Sequence, residues 1–281
     1  MSTAIFTPKP GNGHPPFPLA PAMPETETSP GLGEVLSPSQ AKTFLECPAK
    51  WYFKYLRGLP DPKSAALSLG KAVHQAIGAN FQQKILTHQD LAPGDVVEGF
   101  SSAWSEEARD TEFRDEESAT ELELTGRAMV AKYMEEGAAR VQPQAVELAV
   151  SGQIGGVWVR GFIDILDVDG MVIDIKTAAK KPAGIAQDHR LQLTTYDLLC
   201  PASRGKAQLQ TLTKNGSISY IPLTTEITPA DVQYAETVYP LVQDAIKDGI
   251  FYPRRSSWMC SRKYCSFWRT CESEYGGEVG Q

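Results

Sequence analysis

The feature that most constrains this chain is a change of period along its middle. Ala145 to Val150, Val157 to Leu166 and Met171 to Ile175 are short apolar runs separated by Gly155-Gly156 and Asp169-Gly170. Side chains alternate faces along a strand, so such runs bounded by turn residues predict successive strands, the last pair joined by a tight hairpin. On both sides the period is helical. Ser37 beside Pro38 caps a helix carrying Ala41, Phe44, Leu45, Tyr52 and Phe53. A second helix is predicted over Leu67 to Ile85, and two more near 95–110 and 119–140. Beyond the strands come a helix over Gln187 to Leu199, a strand pair at Gln208–Leu212 and Ser217–Ile221, and a long helix over Pro229 to Ile246. Helices, a central sheet and more helices make an α/β domain. A chain of 281 residues has room for one large domain, or one with a small appendage.

The ends carry less information. Residues 1 to 33 hold eight prolines and four glycines with few large apolar side chains, a composition that predicts a disordered tail. Residues 273 to 281 read as a flexible tail. No run approaches the roughly 18 apolar residues of a membrane span, and the first residues lack the basic start and apolar core of a secretory signal. A cytoplasmic location without membrane contact is the expectation.

Asp164 lies within one strand of the hairpin, and Asp174 and Lys176 lie two apart on the other. Asp174 and Lys176 should therefore share a face, and pairing across the hairpin can bring Asp164 to the same edge. Two carboxylates and an ammonium suit phosphodiester hydrolysis. Hard oxygen ligands hold Mg²⁺ or Mn²⁺, the metal activates water, and the lysine stabilises developing negative charge. An isolated Asp-x-Lys is common on exposed strands, but Val172, Ile173 and Ile175 mark a buried one, where charge is costly unless used.

Cys260, Cys265 and Cys271 stand close together, and Cys47 stands far away on the first helix. Four thiolates can ligate a [4Fe–4S] cluster or a structural zinc, stapling the first helix to the C-terminal segment. Cys200 sits in an apolar context and reads as a core thiol. The net charge of −7 argues against a nucleic-acid partner until it is located: Trp104 to Glu123 holds nine acids and two arginines, which accounts for all of it. That stretch is expected to be a solvated face turned away from nucleic acid. Arg254, Arg255, Arg262, Lys263 and Arg269 near the cysteine trio, with Lys42, Lys50, Lys54 and Arg57 near Cys47, would form one basic patch if the cysteines join. Trp51, Tyr52, Tyr55, Trp258, Tyr264 and Trp268 are interleaved with them, a mixture suited to single-stranded nucleic acid or to packing around the cysteine site. Lys180, Lys181 and Arg190 could add backbone contacts or belong to a solvated loop.

In order along the chain, these residues resemble the PD-(D/E)XK nucleases of the RecB-like exonuclease branch, over roughly residues 36 to 272. Gly70-Lys71-Ala72-Val73-His74 is similar to the family's helix-borne histidine motif, Gly161-Phe162-Ile163-Asp164 to its first acidic motif, and Asp174-Ile175-Lys176 to its second. Gln192-Leu193-Thr194-Thr195-Tyr196 is similar to its glutamine–tyrosine helix. Glu147 sits where relatives often carry an acid before the first motif strand. The resemblance implies a restriction-endonuclease-like core over 34–272, a mixed sheet flanked by helices, with a helical insertion at 95–142 and a cluster module at 251–272 closing onto Cys47. It implies His74, Asp164, Asp174 and Ile175 as metal ligands, Lys176, Gln192 and Tyr196 as further catalytic residues, and Mg²⁺ or Mn²⁺ as the cofactor. The branch also has a cluster-bearing subset with one cysteine before the core and three after it, including small CRISPR-associated and phage exonucleases. That implies a [4Fe–4S] cluster on Cys47, Cys260, Cys265 and Cys271, although four residues rather than two between the first pair of the trio keep zinc open. The implied partner is DNA, single-stranded or at duplex ends, in repair, recombination or phage or CRISPR DNA processing. A chain without helicase motifs is expected to work with a helicase or a strand-annealing protein. The alternatives are a structure-specific endonuclease and a non-catalytic DNA-binding assembly subunit with an architectural cluster.

Overall fold

A computed structural model of the protein describes residues 33–214 and 216–280. The tail expected over 1–33 lies outside the described residues except for Gly33. In chain order the elements are β1 (Val35–Leu36), α1 (Pro38–Glu46), α2 (Pro48–Trp51) and a π-helical turn (Tyr52–Leu56), then β2 (Lys63–Ser64), α3 (Ala65–Thr87), α4 (Pro93–Glu107), β3 (Thr111–Glu112) and α5 (Ala119–Glu136). The sheet strands follow as β4 (Pro143–Ile154), β5 (Val157–Asp167) and β6 (Val172–Ala178), and the chain closes with α6 (Gln187–Leu199), β7 (Lys206–Thr213), β8 (Ser219–Glu226), α7 (Pro229–Lys247) and α8 (Trp268–Tyr275).

The predicted helix from Ser37 to Phe53 breaks at Cys47, which is extended. Pro48 explains the break, since a residue before proline is pushed out of the α region. The break turns the Cys47 sulfur toward the C-terminal segment, where the backbone N–H of Arg254 approaches it at 3.4 Å.

β1, β4, β5, β6, β7 and β8 form one mixed sheet. β4 runs antiparallel along the whole of one edge of β5, from Val157 to Asp167. The other edge of β5 is divided: β1 pairs in parallel at Trp158 and Val159, and β6 pairs antiparallel only at Ile165 and Leu166. β6 then leaves β5 and runs parallel with β7, which pairs antiparallel with β8. A wedge-shaped gap therefore opens between β5 and β6, starting at Asp164.

Helices cover both faces. Leu36, Ile163, Leu166, Val172 and Leu209 pack with α1, α6 and α7, whereas Ile165, Ile173, Ile175 and Leu212 pack with α3, α4 and α5. The helices expected as an insertion over 95–142 thus supply much of one layer, and the α/β expectation with a mixed sheet holds. No helix among the described residues is long and apolar enough to cross a membrane.

Cluster membership also exposes an irregularity. Val159 and Ile163 face α6 and α7, yet Ile165, two residues on, faces α3. On β4, Leu148 and Val150 lean to the first layer and Val146 to the second. Alternation breaks in both strands at one level, with Asp164 and Glu147 at the break. Glu147 has φ 50°, a left-handed conformation that non-glycine residues avoid.

The C-terminal segment is more ordered than composition suggests. Its small core of Ala49, Phe53, Phe267 and Cys271 joins it to α2 and the π turn. Phe251 stacks on Trp51 and Tyr52, and the Tyr275 hydroxyl donates to the Phe251 carbonyl. The flexible tail expected at 273–281 is accordingly corrected over most of its length. α8 runs to Tyr275, Val279 is only 4% exposed, and the Arg262 N–H donates to the Gly280 carbonyl.

Candidate active site

The gap between β5 and β6 gathers the charged residues of the centre of the chain. Asp164 Oδ2 accepts the backbone N–H of Ile175 at 2.8 Å, so its carboxylate bridges two strands that no longer pair. The same oxygen lies 3.5 Å from Nδ1 of His74, on the α3 face that carries Val73 and Ile77 into the core. Nδ1 of His74 thus faces a carboxylate that can orient the ring.

Asp174 approaches from the opposite direction. Ile173 and Ile175 face α3, so strand alternation turns Asp174 and Lys176 toward the α6 face, as the sequence predicted for that pair. Asp174 is 1% exposed, and Nζ of Lys176 lies 2.8 and 2.7 Å from its two oxygens. Only Oδ1 is in hydrogen-bonding geometry, which leaves Oδ2 buried without a hydrogen-bond partner among the described residues. Asp164 and Asp174 thus stand on the two strands that border the gap. The ligand atoms of His74, Asp164 and Glu147 all lie within 4.8 Å of one another, and Asp174 is outside that group. One open cleft is lined by His74, Glu147, Asp164, Lys176 and Gln192, so both sides reach the same solvent space.

α6 supplies the roof. Nε2 of Gln192 donates to the Tyr196 hydroxyl at 3.0 Å. The Tyr196 ring lies so close to β5 that a Cβ on Gly161 would come within 2.6 Å of it, which accounts for the glycine of Gly161-Phe162-Ile163-Asp164. Burial pushes the Tyr196 hydroxyl up to about 12, so it stays a neutral donor.

The four titratable groups hold one another in unusual states. Burial, helped by Asp164, pushes the Asp174 carboxyl up to about 6 despite Lys176. For Asp164 burial acts the same way but is outweighed by the His74 hydrogen bond and charge, Lys176 and the Ile175 N–H, leaving it below the usual carboxylate range. Burial would lower His74 and Lys176, but the hydrogen bond and charge of Asp164 raise His74, and the two carboxylates raise Lys176. The signs give a testable pH dependence. Stability from a raised His74 is present below 6.5 and fades as pH rises through its folded value; that from a raised Asp174 is present below 3.8 and fades through about 6. Asp164 has the opposite sign, and its contribution is lost only on acidification through its lowered folded pKa. In EDTA the unfolding midpoint should therefore rise as pH falls from about 7.5 to about 5.5, and a His74→Gln/Asp174→Asn double variant should lose that rise. An equal slope in the variant would contradict it. With Mn²⁺ the trend should reverse, because bound ligands must be deprotonated.

Elsewhere the predicted residues are partly redistributed. Cys47, Cys260, Cys265 and Cys271 line one cavity with Phe53 and Val279, while Cys200 is buried in the main core. Burial pushes the Cys271 thiol up to about 11, against the pull of Arg255. Nη1 of Arg255 is itself buried without a hydrogen-bond partner among the described residues.

The basic patch is smaller than its residue count. Lys54 pairs with Asp61, Arg57 with Glu274, Arg262 with Glu272 and Lys263 with Glu116. Arg190 is consumed by Asp231, Thr225 and the Glu226 carbonyl, so it ties α6 to α7 and β8 instead of facing a ligand. Lys180 and Lys181 are exposed in the loop after β6. Among the aromatics Trp51 is buried, whereas Trp258 is 72% and Tyr264 44% exposed. One part of the acidic stretch meets the cysteine-bearing segment. Arg114 stacks on Tyr264 and donates to the Lys263 carbonyl at 3.0 Å, and Glu116 pairs with Lys263. Glu116 is the acid of the stretch that pairs with the cysteine-bearing segment, while Glu107 pairs with Lys63 and Lys71 and Glu117 with Arg114.

The comparisons with known proteins agree with this geometry. The sequence signature described as the PD-(D/E)XK nuclease superfamily matches residues 35–272. Among solved structures, a protein of Eubacterium rectale provisionally called an exonuclease superposes with a TM-score of 0.57 at 14% identity, covering 86% of this chain and 88% of its own. A second, the protein SSO0001, covers 84% of this chain and 95% of its own at 16% identity, but its TM-score of 0.35 carries no argument. No curated protein matches the chain.

Proposed function

The chain belongs to the PD-(D/E)XK nuclease superfamily, and from that membership we propose that it is a divalent-metal-dependent DNA nuclease of exonuclease type. The observation that carries the reading is the strand gap, where His74, Asp164 and Lys176 open on one cleft and the buried Asp174 is paired with Lys176 beneath it. The donor set fits Mg²⁺ or Mn²⁺: carboxylate oxygens, an imidazole for which Mn²⁺ has the greater tolerance, and a buried Asp174 oxygen that is ion-paired with Lys176 but accepts no hydrogen bond among the described residues. His74 and Asp164 would hold the ion, with Asp174 and the Ile175 carbonyl as the remaining ligands the family pattern names. Bound there, it would polarise the phosphate and lower the pKa of a bound water.

The protein's own groups do the rest. The Asp174 pair keeps the Lys176 ammonium charged at the gap, where it can stabilise negative charge developing on the phosphate. Gln192 fixes the Tyr196 hydroxyl, a neutral donor suited to a phosphate oxygen. His74 is held by Asp164 in one ring orientation, so the cleft needs little rearrangement when substrate arrives.

The family supports nuclease action, and the exonuclease reading follows the resemblance to the RecB-like branch and the name given to the Eubacterium rectale protein. A gel comparing end-labelled linear, circular and single-stranded DNA with Mg²⁺, Mn²⁺ or EDTA tests it. Loss of linear but not circular substrate is expected, and nicking of circles would make the enzyme an endonuclease. A roster of repair, recombination, phage or CRISPR processing fits such an activity, with a helicase or strand-annealing protein as partner.

For the four thiols the same reading is a [4Fe–4S] cluster. Among the described residues no three of their sulfurs lie within 4.8 Å of one another. Zinc–sulfur bonds of about 2.3 Å would hold tetrahedral thiolates about 3.8 Å apart. Arg255, whose Nη2 donates to the Gly276 carbonyl while Nη1 has no hydrogen-bond partner among the described residues, is near enough to act on Cys271 and suits a net-negative group there. The exposed Trp258 and Tyr264 beside it are the best-placed stacking residues for a single strand. Trp258→Ala should weaken binding of a fluorescent oligothymidylate about 10-fold, a stacking contribution of about 1–3 kcal/mol. An unchanged affinity would remove Trp258 from the strand path.

A further inference from the structure

Lys42 stands where three hollows meet. From α1 it lines the cleft of the strand gap, a groove running to Arg254 and Trp258, and a hollow beside Lys176, Ile185 and Leu209. No other described residue borders all three. Across the seam between α1 and α6 its Nζ lies 2.7 Å from Oδ2 of Asp188, with the two side chains 41% and 32% exposed, while Glu46 stands farther off at 3.9 Å. Burial would raise the Asp188 carboxyl, but the hydrogen bond from Lys42 and the charges of His189 and Lys42 outweigh it and hold it below the usual carboxylate range.

The pair does little to hold the fold. Ion pairs with this much solvent contact contribute little stability. α1 and α6 already share a core through Ala41, Phe44 and Leu191, and Arg190 anchors the start of α6 to Asp231 and the Glu226 carbonyl. Its position is more telling: Lys42 and Asp188 are the two residues common to the cleft and the groove. A strand reaching from Lys176 at the gap to Trp258 has to pass over them. To a lysine, which binds as a point charge, a backbone phosphate offers what the Asp188 carboxylate already supplies.

We propose that Asp188 is an internal stand-in for a DNA phosphate: a single strand lying from the gap to Trp258 sets a phosphate on Lys42, which releases Asp188 to take it. This rests on the DNA-nuclease reading above and deepens it, placing Lys42 on the strand path and making Asp188 the residue that limits affinity.

The test is fluorescence anisotropy of a labelled oligothymidylate titrated with the full chain in EDTA, where nothing is cut, over a series of NaCl concentrations. Lys42→Met should weaken binding about 5-fold and flatten the plot of log affinity against log salt by about 0.7, the share of one phosphate on a single strand. Asp188→Asn should tighten binding about 3-fold, the scale of releasing one exposed ion pair. The double variant Lys42→Met/Asp188→Asn should bind as Lys42→Met does, because Asp188 acts through Lys42. Equal tightening by Asp188→Asn with and without Lys42 would make Asp188 a simple repelling charge and overturn the exchange. Weakening by both single variants with a lower melting midpoint would make the pair a tie between α1 and α6, which also overturns it. Unchanged affinity and salt dependence in Lys42→Met would remove Lys42 from the path and leave the nuclease reading standing. A wild type that binds duplex DNA but not the oligomer overturns the single-strand path alone, and one that binds neither undoes the DNA reading itself.

Discussion

Asp164→Asn should lower metal-dependent DNA cleavage by about three orders of magnitude while leaving the fold in place, a loss of the size seen when a key electrostatic group is removed from a hydrolytic site. Asparagine has the shape of aspartate, and its amide oxygen can still accept the Ile175 N–H that ties β6 to β5. It lacks the charge that orients His74 and that a divalent cation needs. Cleavage of end-labelled linear DNA over a Mn²⁺ series, with circular dichroism as the fold control, measures it. Activity within about 10-fold of the wild type would remove Asp164 from the reaction. Lys176→Ala is a less clean experiment. It strands a buried carboxylate, and breaking a buried pair costs about 3–5 kcal/mol unless the survivor takes up a proton. Asp174, already raised to about 6, is ready to do so. Lys176→Met combined with Asp174→Asn should thus be more stable than Lys176→Met alone, and equally inactive.

The second large effect belongs to the thiols. If the proposed cluster is present, the wild type purified anaerobically should be brown and Cys265→Ser colourless. The substitution should also lower the unfolding midpoint by about 10 °C or more, the scale of losing a metal site that helps to fold its segment. The segment needs that help. Between α7 and α8 it has no regular helix or strand, and its own core is only Ala49, Phe53, Phe267 and Cys271. Iron and sulfide analysis beside zinc analysis decides what is bound. A colourless wild type holding one zinc would overturn the cluster and leave the hydrolytic site untouched. Unchanged colour and melting in Cys265→Ser would show that this thiol is not a ligand.

Much of the fold was legible because its signals are local. Asp169-Gly170 marks a hairpin, the helix over Gln187–Leu199 was read to its last residue, and alternation correctly put Asp174 and Lys176 on one face. The break at Cys47 was available too, in Pro48, and was passed over. Glu147 was harder. A left-handed non-glycine residue leaves no mark in sequence, and neither does the break in alternation at its level. The contacts of the acidic stretch were not legible for another reason: which opposite charges its residues meet is decided by packing between distant segments. Arg190 shows the same limit, because an arginine spent on Asp231 looks in sequence like one waiting for a phosphate.

The thiol cavity has a consequence for synthesis. Cys47 leaves the ribosome 213 residues before Cys260, the first of the three thiols that line the cavity with it (260 minus 47). At translation rates of about 5–20 residues per second that interval is about 10–40 s. Through it the N-terminal thiol stands open to oxidants and to the wrong metal. The sheet can form meanwhile, since β4 to β8 are complete by Glu226. The closing of the chain on its own first helix is therefore the last event of its birth, and the one most exposed to the chemistry of the compartment in which it is made.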